Sequence, residues 1–125
     1  MTEARPILLT CGEPAGIGPE LAPKALAADV PFVFLGDPRH LPEGAPRQAI
    51  GHPSEAAEVS QTALPVLEQR FAALNRPGQP DPANAQGVID AIALGVELVR
   101  AGTASALCTA PIHKKALKDG AGFAY

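Results

Sequence analysis

The chain has 125 residues, the size of one ordinary domain. With 46% hydrophobic and 18% charged residues it is a globular composition, which excludes a disordered chain. A net charge of −3 excludes a basic field for nucleic acid or anionic lipid. The longest apolar runs, Ile7–Leu9 and Pro31–Leu35, fall far short of the ~20 residues that span a bilayer. No basic start followed by an apolar core opens the chain, so a secretory signal is not expected. Cys11 and Cys108 form neither a disulfide framework nor a CxxC pair and read as free thiols of a reducing, cytoplasmic protein. Aromatics are only 4%, against 14 prolines, so the core is built from small aliphatic side chains and is marginal at this size. The chain is therefore not expected to fold well alone.

In chain order, Ile7–Cys11 is a continuous apolar run and predicts a strand buried on both faces of a parallel sheet. Gly12-Glu13-Pro14-Ala15-Gly16-Ile17-Gly18 breaks it, and Pro19 opens a helix expected to run to about Asp29. Phe32–Leu35 predicts a second buried strand. Residues 38–48 read as loop with one helical turn, and Gln48–Ile50 as a short strand. Ser54 is placed to cap a short helix. Ala63–Phe71 is compatible with a strand, although Glu68 and Arg70 weaken it, and Asn75–Ala83 reads as loop. Asn84 is expected to cap a helix over Ala85–Ala101, in which Val88, Ile89, Ile92, Val96 and Val99 recur at helical spacing and Gly102 supplies the stop. Ser105–Cys108 predicts a buried strand, followed by a helix over Ile112–Lys118. The alternation of strands and helices predicts an α/β fold with a mostly parallel sheet flanked by helices.

Ligands of such sheets bind beyond the carboxyl ends of the strands. Two segments lie there, Thr10–Glu20 and Cys108–Lys114, and parallel strands would turn both toward one crevice. The first is neither a dinucleotide fingerprint, since Leu21 stands where a small residue is needed, nor a Walker loop. Two readings of it stand: free N–H groups at a helix start that hold an anion, or a tight turn that lets the helix pack back. Glu13 is a candidate polar group of the crevice, whereas Glu20 suits the helix dipole. His113 and Lys114 at the second helix start suit a phosphate or carboxylate; Lys115 and Lys118 read as a solvated face. His40 and His52 read as surface residues, and both cysteines as small buried residues rather than nucleophiles. No metal cluster, paired-carboxylate site or nucleophile elbow is visible.

Gly12-Glu-Pro-Ala-Gly-Ile-Gly-Pro-Glu20 resembles the N-terminal signature of the 4-hydroxythreonine-4-phosphate dehydrogenase family of pyridoxal phosphate biosynthesis. Asp81-Pro-Ala-Asn-Ala85, the helix that follows, and Ala106-Leu-Cys-Thr-Ala-Pro-Ile-His-Lys114 through Ala121-Gly-Phe123 resemble it in the same order and spacing. The resemblance implies a fold like that of the isocitrate and isopropylmalate dehydrogenases, with two α/β domains and a cleft completed in a homodimer. It implies oxidation of 4-phosphooxy-L-threonine by NAD or NADP, with a divalent metal polarising the reacting oxygen and carbon dioxide lost afterwards. In that family a Pro-Gly-His-Thr-Glu motif and the metal-binding histidines follow the matched segment. Residues 1–125 are thus expected to be an incomplete N-terminal α/β domain, without the second domain and metal-binding half, and inactive alone. Neither cofactor nor metal is expected to bind strongly to this part, and the catalytic residues are not assigned. The residues implied to line the substrate cleft are Gly12, Glu13, Gly16, Gly18, Thr109, His113 and Lys114. Related activities left open are oxidation of a four-carbon phospho-sugar acid or an aromatic cis-diol. A non-catalytic phosphate-binding module is the alternative from another class.

Overall fold

The computed structural model describes residues 5–27 and 31–122. Five strands, β1 (Ile7–Thr10), β2 (Phe32–Gly36), β3 (Arg47–Ala49), β4 (Leu64–Glu68) and β5 (Ala106–Thr109), form one sheet in the order β3-β4-β2-β1-β5. Every pairing is parallel. All strands therefore point to one rim, and Thr10 lies between Leu35 and Thr109.

Alternate strand residues face opposite sides of the sheet and feed two apolar clusters. Leu8 and Val33 pack with Ile50, Ala56, Val59 and Ala104. Phe34 packs with Cys11, Leu64, Val66, Phe71, Val88 and Leu117. The helices are α1 (Gly18–Leu21), α2 (Ala56–Val59), α3 (Ala85–Arg100) and α4 (Lys114–Ala121). The long helix α3 packs Ile89 and Ile92 on the second cluster and Leu98 and Val99 on the first. Its stripe is rotated from the expected one: Ala91 and Gly95 are buried, and Val96 is 43% exposed.

The predicted first helix is a single α turn continued by a 3₁₀ segment, Ala22–Ala27. Pro23 explains the change, because it has no N–H for the α ladder and its ring crowds the carbonyl four residues back. The expected end at Asp29 lies outside the described residues. Three other prolines begin 3₁₀ turns, at Pro38–His40, Pro53–Glu55 and Pro82–Asn84. In each, the side chain before the proline (Asp37, His52 or Asp81) accepts a hydrogen bond from the backbone two residues on. The cap of the third-strand-to-α2 segment is thus His52, not Ser54. Asn84 does not cap α3 with its side chain either.

Strand β5 is the other departure. Its sequence is apolar, but it lies at the edge of the sheet, and Ala106, Cys108 and Thr109 are exposed. Cys108 is therefore a surface thiol rather than a buried residue, while Cys11 is buried as expected.

Candidate active-site cleft

The two segments singled out in the sequence are in direct contact beyond β1 and β5. Glu13 N–H donates to Pro111 O at 2.9 Å, and Ala110 N–H to Thr10 O at 3.1 Å. The Thr10 and Thr109 hydroxyls share a hydrogen bond across the strand pair. Gly12 has φ +63°, and a Cβ there would stand 2.4 Å from both Ala110 O and Pro111 O. A Cβ at Gly18 would stand 1.9 Å from Cys11 O and 3.0 Å from the Ala110 Cβ. These two glycines are required by protein backbone approaching them, which accounts for them without an anion. Gly16 is exposed, and its N–H closes a turn onto Glu13 O at 2.9 Å.

Glu13 is only 8% exposed. Burial raises its carboxyl above the usual range; the Ala15 N–H and nearby His113 pull it back, and Asp81 pushes it further up. Glu13, Asp81 and His113, with Ala85, Val88, Ala116 and Leu117, line one crevice too narrow to admit a water molecule. His113 is the N-cap of α4 rather than part of the helix, and its Nδ1 accepts from Ala116 N–H at 3.1 Å. The ring's Nε2 thus carries the proton when the imidazole is neutral. Lys114 is the first residue of α4 and is exposed. Lys115 and Lys118 are exposed as expected, and Lys115 pairs with Asp119 at 2.9 Å.

A third wall is residues 71–82, where the sequence reads Asn75–Ala83 as loop and Phe71 as the end of a strand that in fact stops at Glu68. Its backbone is held by side chains. Phe71 N–H donates to Asp37 Oδ2 at 2.9 Å, and an Arg39 terminal nitrogen donates to Phe71 O at 2.7 Å. Two residues on, Ala73 N–H donates to Asn84 Oδ1 at 2.9 Å, and His40 Nε2 bonds Ala73 O at 2.8 Å. Asn75 Nδ2 then reaches Pro14 O at 2.9 Å, and Gly78 N–H reaches Ala15 O at 2.8 Å, tying this loop to the glycine-rich one. His40 is consequently buried, at 3% exposure and edge-on to Phe71, contrary to the surface position expected; His52 is exposed. Burial lowers the His40 pKa. Burial would raise Asp37, but the Arg39 guanidinium and the Phe71 and Arg39 N–H groups outweigh it and bring it down to about 2. Burial pushes the Cys11 thiol up to about 12, so it is no nucleophile. The Asp-Pro pairs at Asp37 and Asp81 were the available signal for these turns.

With that geometry in place, comparison with known proteins decides the family. A family model described as pyridoxal phosphate biosynthetic protein PdxA matches residues 27–125. The chain belongs to the PdxA family. It is 62% identical over 125 residues to a 4-hydroxythreonine-4-phosphate dehydrogenase of Paracoccus denitrificans, covering 100% of this chain and 38% of that protein. A Caulobacter vibrioides protein of the same name is 40% identical over 98% of the chain and 38% of its own length. The PdxA chain described here therefore spans well under half the length of these relatives. The crystal structure of a 4-hydroxythreonine-4-phosphate dehydrogenase from Klebsiella pneumoniae superposes with a TM-score of 0.80 at 28% identity, over 97% of this chain and 41% of that one. A terephthalate 1,2-cis-dihydrodioldehydrogenase from Burkholderia xenovorans shares the fold, with a TM-score of 0.71 at 23% identity over 97% and 38%. Among the described residues no three His, Cys, Asp or Glu side chains converge to hold a metal, and no helix is long and apolar enough to cross a membrane. At Gly12 and Gly18 the space a Cβ would take is filled by Ala110, Pro111 and Cys11, so the close approach these glycines permit is to protein rather than to a dinucleotide.

Proposed function

We propose that residues 1–125 form the N-terminal wall of the active-site cleft of a 4-hydroxythreonine-4-phosphate dehydrogenase. The whole enzyme would be a cytoplasmic homodimer that oxidises a small phosphorylated hydroxy acid with NAD or NADP and a divalent metal. The second domain would bring the metal ligands, so no step through metal or nicotinamide is assigned to residues here.

The observation that carries this reading is the contact between the Gly12–Gly18 and Ala110–Lys114 loops, through Glu13 N–H and Pro111 O, in a PdxA chain. That contact brings a buried carboxylate and an imidazole to one crevice at the rim where parallel sheets bind ligands. In this reading Glu13 and His113 would bind or exchange protons with a substrate once the second domain completes the cleft. Gly12 and Gly18 let the two loops meet, and Thr109 braces the strand pair beneath them. Lys114 supplies positive charge at the mouth.

A chimera tests it. Residues 1–125 would replace the corresponding segment of the Paracoccus relative, to which they align over the full 125 residues. NAD(P) reduction is then followed with 4-phosphooxy-L-threonine and a divalent metal. The chimera is expected to turn over, and the isolated chain is not. Glu13→Gln and the His113→Asn, Lys114→Gln pair in the chimera are expected to lower kcat or raise KM by about tenfold or more. Unchanged kinetics in both variants would reduce these residues to structural roles.

A further inference from the structure

The loop that closes the cleft carries a hollow of its own. It has a volume of about 590 Å³ and is lined by Leu74, Asn75, Arg76, Gln79 and Asp81 with flanking backbone and prolines. That volume lies within the roughly 300–1,000 Å³ usual for small-molecule sites. Its walls are held before any ligand arrives: Asp37, Arg39, His40 and Asn84 hold the backbone at Phe71 and Ala73, and Asn75 and Gly78 fasten the loop to Pro14 and Ala15. A preformed wall avoids the ordering cost that a floppy loop would add to binding.

Within this frame the chemistry is uneven. Arg76 is exposed, and among the described residues its guanidinium has no hydrogen-bond or ion-pair partner. Leu74, beside it, is 61% exposed. The Asp81 carboxylate, also in the lining, is already engaged, accepting from Ala83 N–H at 2.9 Å, and it borders the Glu13–His113 crevice as well. The lining thus offers a planar, fork-shaped cation beside an apolar surface, and a carboxylate that repels a second anion.

We propose that this hollow is a ligand subsite for a molecule with a single anionic head, a phosphate monoester or a carboxylate, bound bidentately by Arg76, and an apolar body resting on Leu74 and the prolines. The matching of a guanidinium fork to such oxygens is the source of the selectivity. The subsite stands whether or not the dehydrogenase reading does, because it needs only this chain.

The test is a titration of the chimera, whose turnover reports that the segment is folded, with phenyl phosphate, benzoate, inorganic phosphate and benzyl alcohol, read by backbone amide NMR and calorimetry. Phenyl phosphate and benzoate are expected to saturate with shifts concentrated at residues 73–82. Inorganic phosphate should bind more weakly, for want of the apolar body, and benzyl alcohol should not saturate. Arg76→Gln, on an exposed loop position, is expected to weaken phenyl phosphate by about tenfold or more with an unchanged spectrum elsewhere. Arg76→Glu should abolish saturation. Equal binding by Arg76→Gln, equal binding of benzyl alcohol, or no saturable binding at all would overturn the proposal.

Discussion

Thr10 and Thr109, ninety-nine positions apart in sequence, are register partners in the β1–β5 pair and share a hydroxyl–hydroxyl hydrogen bond. Everything at the cleft follows from that pairing, because the two chain segments leave the sheet side by side and must pass within contact distance. Gly12 and Gly18 are the positions where they pass.

The glycine packing gives a first prediction. Gly12→Ala adds a clash with two carbonyl oxygens to the strain of a side chain at φ +63°. Gly44→Ala, at φ +85° with nothing within 4 Å, carries the strain alone. Gly44→Ala is expected to cost about 1 kcal/mol, and Gly12→Ala about 1–3 kcal/mol more. Urea melts of the two variants decide it; equal losses would mean the loops can separate freely.

Asp37 makes the fold acid-sensitive. Its pKa in the fold, about 2, lies below the ordinary 3.8. Its charged form therefore stabilises the fold above pH ~4, and that contribution fades as pH falls through the folded value, by up to about 2 kcal/mol. Asp37→Asn should lower stability at pH 7 and flatten the slope between about pH 4 and 2. Denaturant melts across that range measure it, and a variant that keeps the wild-type slope refutes it.

His40 acts in the neighbouring range. Its folded pKa is lowered by burial, so the unfolded chain takes up the proton first as pH drops below the ordinary 6.5. The stability that neutral His40 contributes is present above pH 6.5 and declines below it. His40→Gln should remove the decline that begins there, in thermal melts between pH 7.5 and about 5.

Glu13 has the opposite sign. Its folded pKa is raised, so the fold holds its proton more tightly than the unfolded chain does. The associated stability is full below the ordinary 4.5 and is lost as pH rises through the folded value. Glu13→Gln should therefore raise Tm at pH 7, with the gain shrinking as pH falls through the folded value and gone below 4.5. A residue that costs stability and is needed for turnover in the chimera is a functional one. A fall in Tm at pH 7 sinks this account.

His113 has two separable duties. As cap of α4 it accepts from Ala116 N–H, so His113→Ala should destabilise by about 1 kcal/mol. His113→Asn restores a capping oxygen and should recover most of that stability. In the chimera it should not recover activity. Recovery of both would leave the imidazole with a capping role only.

The parallel sheet and the meeting of the two loops were legible because apolar runs at Ile7 and Phe32, a periodic α3 and intervening turns admit few topologies. Strand β5 was legible as a strand but not as an edge: Ala106-Leu107-Cys108-Thr109 reads the same whether a neighbour covers it or not. Pro23 was visible, yet its effect depended on falling just past the first helical turn. The duties of His40, Asn75 and Asn84 were hidden because each bonds backbone more than ten positions away, and no local pattern encodes that.

The ladder of side chains at Phe71 and Ala73 has an evolutionary consequence. Since the anchors Asp37, Arg39, His40 and Asn84 all sit outside residues 74–80, that stretch can change composition around its two ties, Asn75 and Gly78, without loosening the sheet it springs from. A lineage could retune what the pocket admits by rewriting a handful of codons, and leave the scaffold as inherited.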